Sequence, residues 1–307
     1  MTNCNTGHSV DRKNACSLCH SSIAFSVPEF EGYRICRTCD LTWCTEDDPS
    51  NLTSDWEKQY YGREDVFKLH EARRSGIEAI MARLNAVCPD RGRLLDVGTG
   101  VGLLMRVAAQ AGWSVEGVEP SKRAAESARE LTGATVYNDL LENLTLTDKH
   151  YDAITILDTL RFVPDPLAFL QAARKLLRPG GMLLVRDVNR ELLRRTKWLL
   201  NRSLEMKRRR KAFEQAQWFS PKSLIYALQA LGLQGWLEPS PVFVEPISAG
   251  GLMGSLLKRM IGLTSSMIYE VSAQRIIISP NLLAFGRAPF EITSTVWTNG
   301  SNLLHPL

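Results

Sequence analysis

No run of 18 or more apolar residues occurs in the 307-residue chain, so a membrane-spanning helix of ordinary length is not expected. The opening MTNCNTGHSVDRKNAC lacks the apolar core of a secretory signal, and the expectation is a soluble cytoplasmic protein. Net charge is small: 37 Lys plus Arg against 33 Asp plus Glu leave +4, too little to mark a nucleic-acid binder. There is no internal repeat. The 44% apolar and 23% charged content is that of a globular domain, which excludes a wholly disordered, collagen-like or coiled-coil chain. Beyond residue 44 cysteine almost disappears, with Cys88 alone. The length allows a sizeable core in one large or two smaller domains.

What cysteine there is lies at the front. Cys16-x2-Cys19 and Cys36-x2-Cys39 form two pairs separated by 16 residues. Thiolates at i and i+3 bend around one ion, and a second pair completes a tetrahedral site for structural Zn²⁺ with no open position. Cys4, Cys44 and His20 are spare ligands. An odd cysteine total argues against a disulfide framework. A segment this short needs such a staple to fold.

The chain divides as follows. Residues 1–14 are a loose N-terminus, 15–45 the zinc-binding knuckle, and 46–87 a linker with the aromatic pair Tyr60-Tyr61 and helical spacing over 64–87. Residues 88–288 alternate strand and helix patterns, with insertions at 191–217 and 247–271, and 289–307 form a polar tail. Strands are expected at 93–97, 113–119, 134–138, 151–157, 182–188, 233–237 and 282–286. Helices are expected at 101–111, 121–131 and 165–177, the last ended by Pro179-Gly180-Gly181. Ser220-Pro221 reads as a helix start. Such alternation means an α/β fold, a doubly wound, mostly parallel sheet covered on both faces.

An apolar strand runs into Asp96-Val97-Gly98-Thr99-Gly100-Val101-Gly102, and a helix follows. Glycines allow a sharp turn and close approach of a ligand. A dinucleotide site prefers G-x-G-x-x-G, whereas here the third glycine comes one residue sooner. With Asp96 ahead of it, the turn suits a ligand without a pyrophosphate but with a cationic amino-acid end, and disfavours a nicotinamide cofactor. Further acids close the next strands in order: Glu119 before Pro120, placed to accept from ribose hydroxyls; Asp139 before Leu140, placed at an adenine ring; and Asp158, facing a reacting centre.

Together LLDVGTGVG, GVEPS, YNDLLE and YDAITILDTLRFVPDPLAFLQAARKLLRPGGMLLV resemble a class I S-adenosylmethionine-dependent methyltransferase, closely over about residues 90–190 and more loosely to 288. CSLCH…YRICRTCDLTW followed by YYG resembles the zinc-binding domain ahead of a bacterial branch that includes sugar C-methyltransferases. QWFSPKSLIYALQALG resembles that branch's helix before strand six. The resemblance implies a Rossmann-like fold and S-adenosylmethionine as cofactor. It implies that Asp96, Gly98, Thr99, Gly100 and Gly102 shape the methionine pocket, and that Glu119 and Pro120 meet the ribose. Asp139 and Leu140 would hold adenine, and Asp158 and Leu160 would line the methyl-transfer side. The acceptor it implies is a small molecule, sugar, or lipid- or glycan-linked compound.

One departure stands out. The family often carries Glu-His after strand four, where this chain reads Asp158-Thr-Leu-Arg161-Phe162-Val163. No histidine of the five (8, 20, 70, 150, 305) falls in a matching motif position. The catalytic base is therefore unassigned, and the acceptor-side candidates are Tyr60, Tyr61, Asp158, Arg161, Phe162 and Asn189. Alternatives are an RNA base methyltransferase and a cofactor-binding protein with altered catalysis. Residues 191–217, with the run Lys207–Lys211, and residues 247–271 are candidate contacts with an anionic membrane surface, or a solvated helix face and a lid.

Overall fold

The computed structural model describes residues 14–27, 32–45, 66–146, 150–192, 217–241, 243 and 251–290. Three short strands, β1 (Ala24–Ser26), β2 (Tyr33–Cys36) and β3 (Thr42–Cys44), form the knuckle. The helical spacing over 64–87 gives two helices, α1 (Val66–Glu71) and α2 (Arg74–Val87), broken at Ala72-Arg73. Then follow β4 (Arg93–Val97), α3 (Leu103–Gln110), β5 (Ser114–Val118), α4 (Lys122–Thr132) and β6 (Val136–Tyr137). Next come β7 (Tyr151–Leu157), a single 3-10 turn Leu160–Phe162, α5 (Pro166–Leu176) and β8 (Leu177–Val188). The last elements are β9 (Gln217–Trp218), α6 (Pro221–Ala230), β10 (Gln234–Pro239), α7 (Gly251–Val271) and β11 (Asn281–Arg287).

Seven strands make one sheet in the order β10-β11-β8-β7-β4-β5-β6. The pairs β8–β7, β7–β4, β4–β5 and β5–β6 are parallel, while β11 runs antiparallel between β8 and β10. Near-continuous apolar runs such as Ala153–Ile156 and Met182–Val185 are buried, as a sheet covered on both faces requires. Strand order reverses beside β4, which places a crevice at the carboxyl ends of β4, β5 and β7.

Two local expectations change. Pro179-Gly180-Gly181 does not end α5; it lies inside β8, where the register against β7 slips between Tyr151 and Ala153. Gly180 at φ +74° supplies the irregular backbone this slip needs. The knuckle also joins the rest of the chain. β9 pairs antiparallel with β3, making a second, four-stranded sheet β1-β2-β3-β9. Leu18, Leu41 and Trp43 pack in the same apolar cluster as Leu160, Phe169 and Phe219.

α6 begins as expected. Ser220 Oγ accepts from Ser223 N at 3.2 Å, Ser223 Oγ accepts from Ser220 N at 2.7 Å, and Pro221 opens the helix. The 247–271 stretch contains α7, which lays Tyr269 against the sheet edge, its hydroxyl donating to Leu237 O at 2.9 Å. Met260, Leu263, Met267 and Val271 of α7 are exposed. Among the described residues no helix is long and apolar enough to cross a membrane. Residues 193–216, with the basic run, lie outside the described residues.

Candidate functional site

Asp96, the penultimate residue of β4, is buried, and its Oδ1 accepts from Thr155 Oγ1 of β7 at 2.7 Å. Burial pushes its pKa up to about 6, against the opposing hydroxyl bond. The backbone then turns through Gly98, Gly100 and Gly102 at φ +77°, +55° and +86°. Gly98 N and Thr99 N donate to Val118 O at 2.8 and 3.2 Å, which folds the turn against the end of β5. The glycines differ in purpose. A Cβ on Gly98 would overlap the Thr159 side chain, so this glycine keeps the turn close to the loop after β7. A Cβ on Gly102 would stand 2.9 Å from Ala128 Cα, so this glycine lets α3 approach α4. The same motif thus sets two close contacts, one with the loop after β7 and one between helices.

Glu119 is buried at the end of β5. Its Oε2 accepts from Gly100 N at 2.8 Å and its Oε1 from Ser121 N at 3.0 Å. The carboxylate thereby joins the glycine turn to the start of α4. Pro120 beside it is exposed. Asn138 Nδ2 donates to Glu119 O and Pro120 O at 3.0 and 2.9 Å, fixing the next strand end to this one. Asp139 Oδ1 accepts from Leu140 N and Asn143 Nδ2, both at 2.7 Å, and Leu140 stands 48% exposed at the rim.

Asp158 follows β7 with φ +57°, a left-handed conformation that aspartate and asparagine adopt more readily than most residues. Arg161 Nη2 donates to its Oδ1 and Arg186 Nη1 to its Oδ2. Burial alone would raise its pKa, but the Arg186 and Arg161 guanidinium groups outweigh it and hold it below the ordinary carboxylate range. Arg161 Nε lies 3.1 Å from Asp187 Oδ1. Asp187 is buried, and burial pushes its pKa up to about 6 despite Arg161. Arg186 also donates from Nε to Ser240 Oγ at 2.8 Å and lies 3.9 Å over the Phe243 ring. Thr155, Thr159, Arg186 and Asp187 were not anticipated. The signal was present: Arg-Asp interrupts the apolar run MLLVRDV, two charges in a strand that burial on both faces should keep apolar.

Other candidates are placed differently from expectation. The Leu160 side chain is 0% exposed and belongs to the core rather than the crevice wall. Asn189 is buried, donating from Nδ2 to Ser279 O at 3.0 Å and accepting at Oδ1 from Leu192 N, and so ties down the end of β8. Phe162 is half-buried. Tyr60 and Tyr61 lie outside the described residues.

In the knuckle, Cys16, Cys19, Cys36 and Cys39 bring four Sγ atoms within 4.8 Å of one another. Cys16 and Cys39 are 3.5 Å apart and Cys19 and Cys36 3.4 Å. A tetrahedral zinc with bonds of about 2.3 Å spaces its sulfurs by about 3.8 Å, so the set can hold such an ion. Each pair is built alike. His20 N donates to Cys16 O at 2.9 Å and Asp40 N to Cys36 O at 3.0 Å, with His20 and Asp40 left-handed at φ +57° and +63°. Burial pushes the Cys19 thiol up to about 12, and the neighbouring Cys16 sulfur together with burial raises Cys39. Several thiolates so close require a cation to coexist. Cys44 and His20 stand outside this cluster, and Cys4 lies outside the described residues.

The sheet and the acid-lined crevice at its switch point define an α/β domain of the class that binds a nucleoside-containing cofactor. A family model described as Methyltransferase domain matches residues 69–238, more than half of the chain, and the chain belongs to that family. It is 37% identical over 113 residues to the ubiquinone biosynthesis O-methyltransferase of Cereibacter sphaeroides, covering 35% of this chain and 46% of that protein. The chain spans about half the length of such curated relatives. Among solved structures it resembles a SAM-dependent methyltransferase from Thermotoga maritima, 22% identical. That likeness covers 76% of this chain and 98% of that one, with a TM-score of 0.52. It also resembles the magnesium protoporphyrin IX methyltransferase of Synechocystis PCC 6803 with bound SAH, 15% identical, covering 79% and 100% at a TM-score of 0.50. Likeness at these identities establishes the fold.

Proposed function

We propose that the chain is an S-adenosylmethionine-dependent methyltransferase acting on a small-molecule acceptor. The observation that carries this reading is the pair of buried carboxylates, Asp96 and Glu119, at neighbouring strand ends around a glycine turn, in a chain of the methyltransferase family. S-adenosylmethionine, when bound, supplies a methyl group on a sulfonium that a nucleophile displaces in line. Asp96 and the turn Gly98–Gly102 face its amino-acid end. Glu119, pre-oriented by Gly100 N and Ser121 N, takes the ribose hydroxyls beside Pro120. Leu140 supplies an apolar surface for adenine, with Asp139 next to it.

On the acceptor side Asp158 is neutralised by two guanidinium groups, which makes it a weak proton acceptor. The chain aligns and desolvates the acceptor, and the site suits a nucleophile that needs little proton removal, a base brought from another segment, or an anionic acceptor paired with Arg161. Relatives named for ubiquinone biosynthesis support a small-molecule acceptor, and a sugar or lipid- or glycan-linked acceptor is the finer form of the proposal. The four-cysteine cluster holds structural zinc.

Calorimetry with S-adenosylhomocysteine tests the cofactor assignment. Wild type binds, and Gly98→Arg, whose side chain fills the turn beside Thr159, loses binding at least about a hundredfold. No heat from wild type overturns the reading. The exposed face of α7 and the basic residues of 191–217 further suggest contact with an anionic bilayer. Co-sedimentation with phosphatidylglycerol vesicles, weakened by added salt, is the expected result; wild type left wholly in the supernatant removes it.

A further inference from the structure

Gln217 is 0% exposed and bonded in three directions. Its Oε1 accepts from Ser17 Oγ at 2.9 Å. Its Nε2 donates to Leu160 O at 3.0 Å and to Val163 O. Ser17, also fully buried, lies inside the Cys16–Cys19 pair. The two carbonyls bracket the turn that carries Arg161 to Asp158 and Asp187. One amide therefore spans segments about 200 and 57 residues away in sequence and joins the cysteine cluster to the acceptor side of the crevice.

An apolar residue would fill this place without the cost of desolvating an amide, about 1–3 kcal/mol when unsatisfied. The amide is worth its burial only where fixed bonds to all three neighbours matter. The backbone repeats the link, since Gln217 and Trp218 pair with Trp43 and Thr42. At the far end Arg190 Nη2 donates to Asp40 Oδ2 at 2.6 Å, beside Cys39.

We propose that Gln217 is a positioning residue that couples the four-cysteine knuckle to the acceptor-side turn, so that metal in the knuckle holds Arg161 in place against Asp158 and Asp187. The inference rests on the methyltransferase reading for what the turn faces. Metal that clamps Cys16 and Cys19 to Cys36 and Cys39 fixes Ser17; Ser17 fixes the Gln217 amide; and the amide holds the turn at both ends. The knuckle thus acts on the acceptor side without touching the cofactor crevice.

Hydrogen exchange reads this directly, because Phe162 N donates to Thr159 O at 3.0 Å and Val163 N to Leu160 O at 3.2 Å within the turn. In Gln217→Met the amides of Phe162 and Val163 exchange about tenfold faster or more, while those of residues 94–102 stay within about twofold. Removing zinc from wild type by chelation gives the same local acceleration and adds little in Gln217→Met, the non-additivity expected of one coupled path. Unchanged turn protection in Gln217→Met, or a zinc effect of equal size in both proteins, overturns the proposal. Should Gln217→Met not fold, Ser17→Ala keeps both carbonyl bonds and must lose the zinc dependence of turn exchange; retained dependence overturns it. Binding of S-adenosylhomocysteine is measured separately on wild type. Failure there sinks the cofactor reading and leaves the exchange result to stand or fall alone.

Discussion

Asp96 has the unusual ionisation of a carboxyl sealed beneath a sheet end. Burial raises its pKa from 3.8 to about 6 while Thr155 opposes the shift. Between those values the folded state holds more protons than the unfolded one. The stabilisation from this group is therefore present below about pH 4 and lost as pH rises through about 6. Asp96→Asn removes that dependence. From about pH 4 to 7, wild type should lose on the order of 1–3 kcal/mol relative to the variant, read from urea midpoints at each pH. Parallel curves for the two proteins would refute the buried-acid assignment. The residue itself was legible, because an acid two positions before a glycine turn needs a reason. Its partner Thr155, 59 residues away, was not.

Element boundaries followed local chemistry where that chemistry was complete. Ser220 and Pro221 mark the start of α6, and the reciprocal bonds with Ser223 show why. Ser220→Ala should cost about 1 kcal/mol in a chemical denaturation series, since it removes one half of the capping pair. A change below about 0.3 kcal/mol would mean that the cap is redundant with packing. Where local signals conflict with the sheet, the sheet decides. Pro179-Gly180-Gly181 reads as a stop, yet pairing with β7 holds at Leu177 and resumes at Met182, and backbone bonds of Gly180 and Gly181 to Pro289 and Ala288 carry β8 across it. The break at Ala72-Arg73 had no glycine or proline to announce it.

The molecule as a whole does not treat its cysteine knuckle as an appendage. Trp43 and Leu18 share a core with α5 and α6, and β9 completes the knuckle sheet. Loss of zinc should then lower one cooperative melting transition by roughly 5–10 °C rather than abolish a separate small one. Differential scanning calorimetry with and without a chelator tests this; two independent transitions would show that the shared core is energetically split. The charged group Asp158, Arg161, Arg186 and Asp187 is likewise a product of the whole fold, drawn from the ends of β7 and β8 and the turn between them.

By itself the order of residues pointed to the α/β class, the clustering of four cysteines, and the acids that close successive strands. Each of these depends on spacing along a few residues, and spacing is what a sequence records. Which glycine keeps the turn against Thr159 and which lets two helices approach, that Leu160 turns inward, and that Arg161 and Arg186 share Asp158 were settled only by tertiary contacts. So was the bridge at Gln217. These depend on which distant segments the twisted sheet brings within bonding distance, and no local period carries that information.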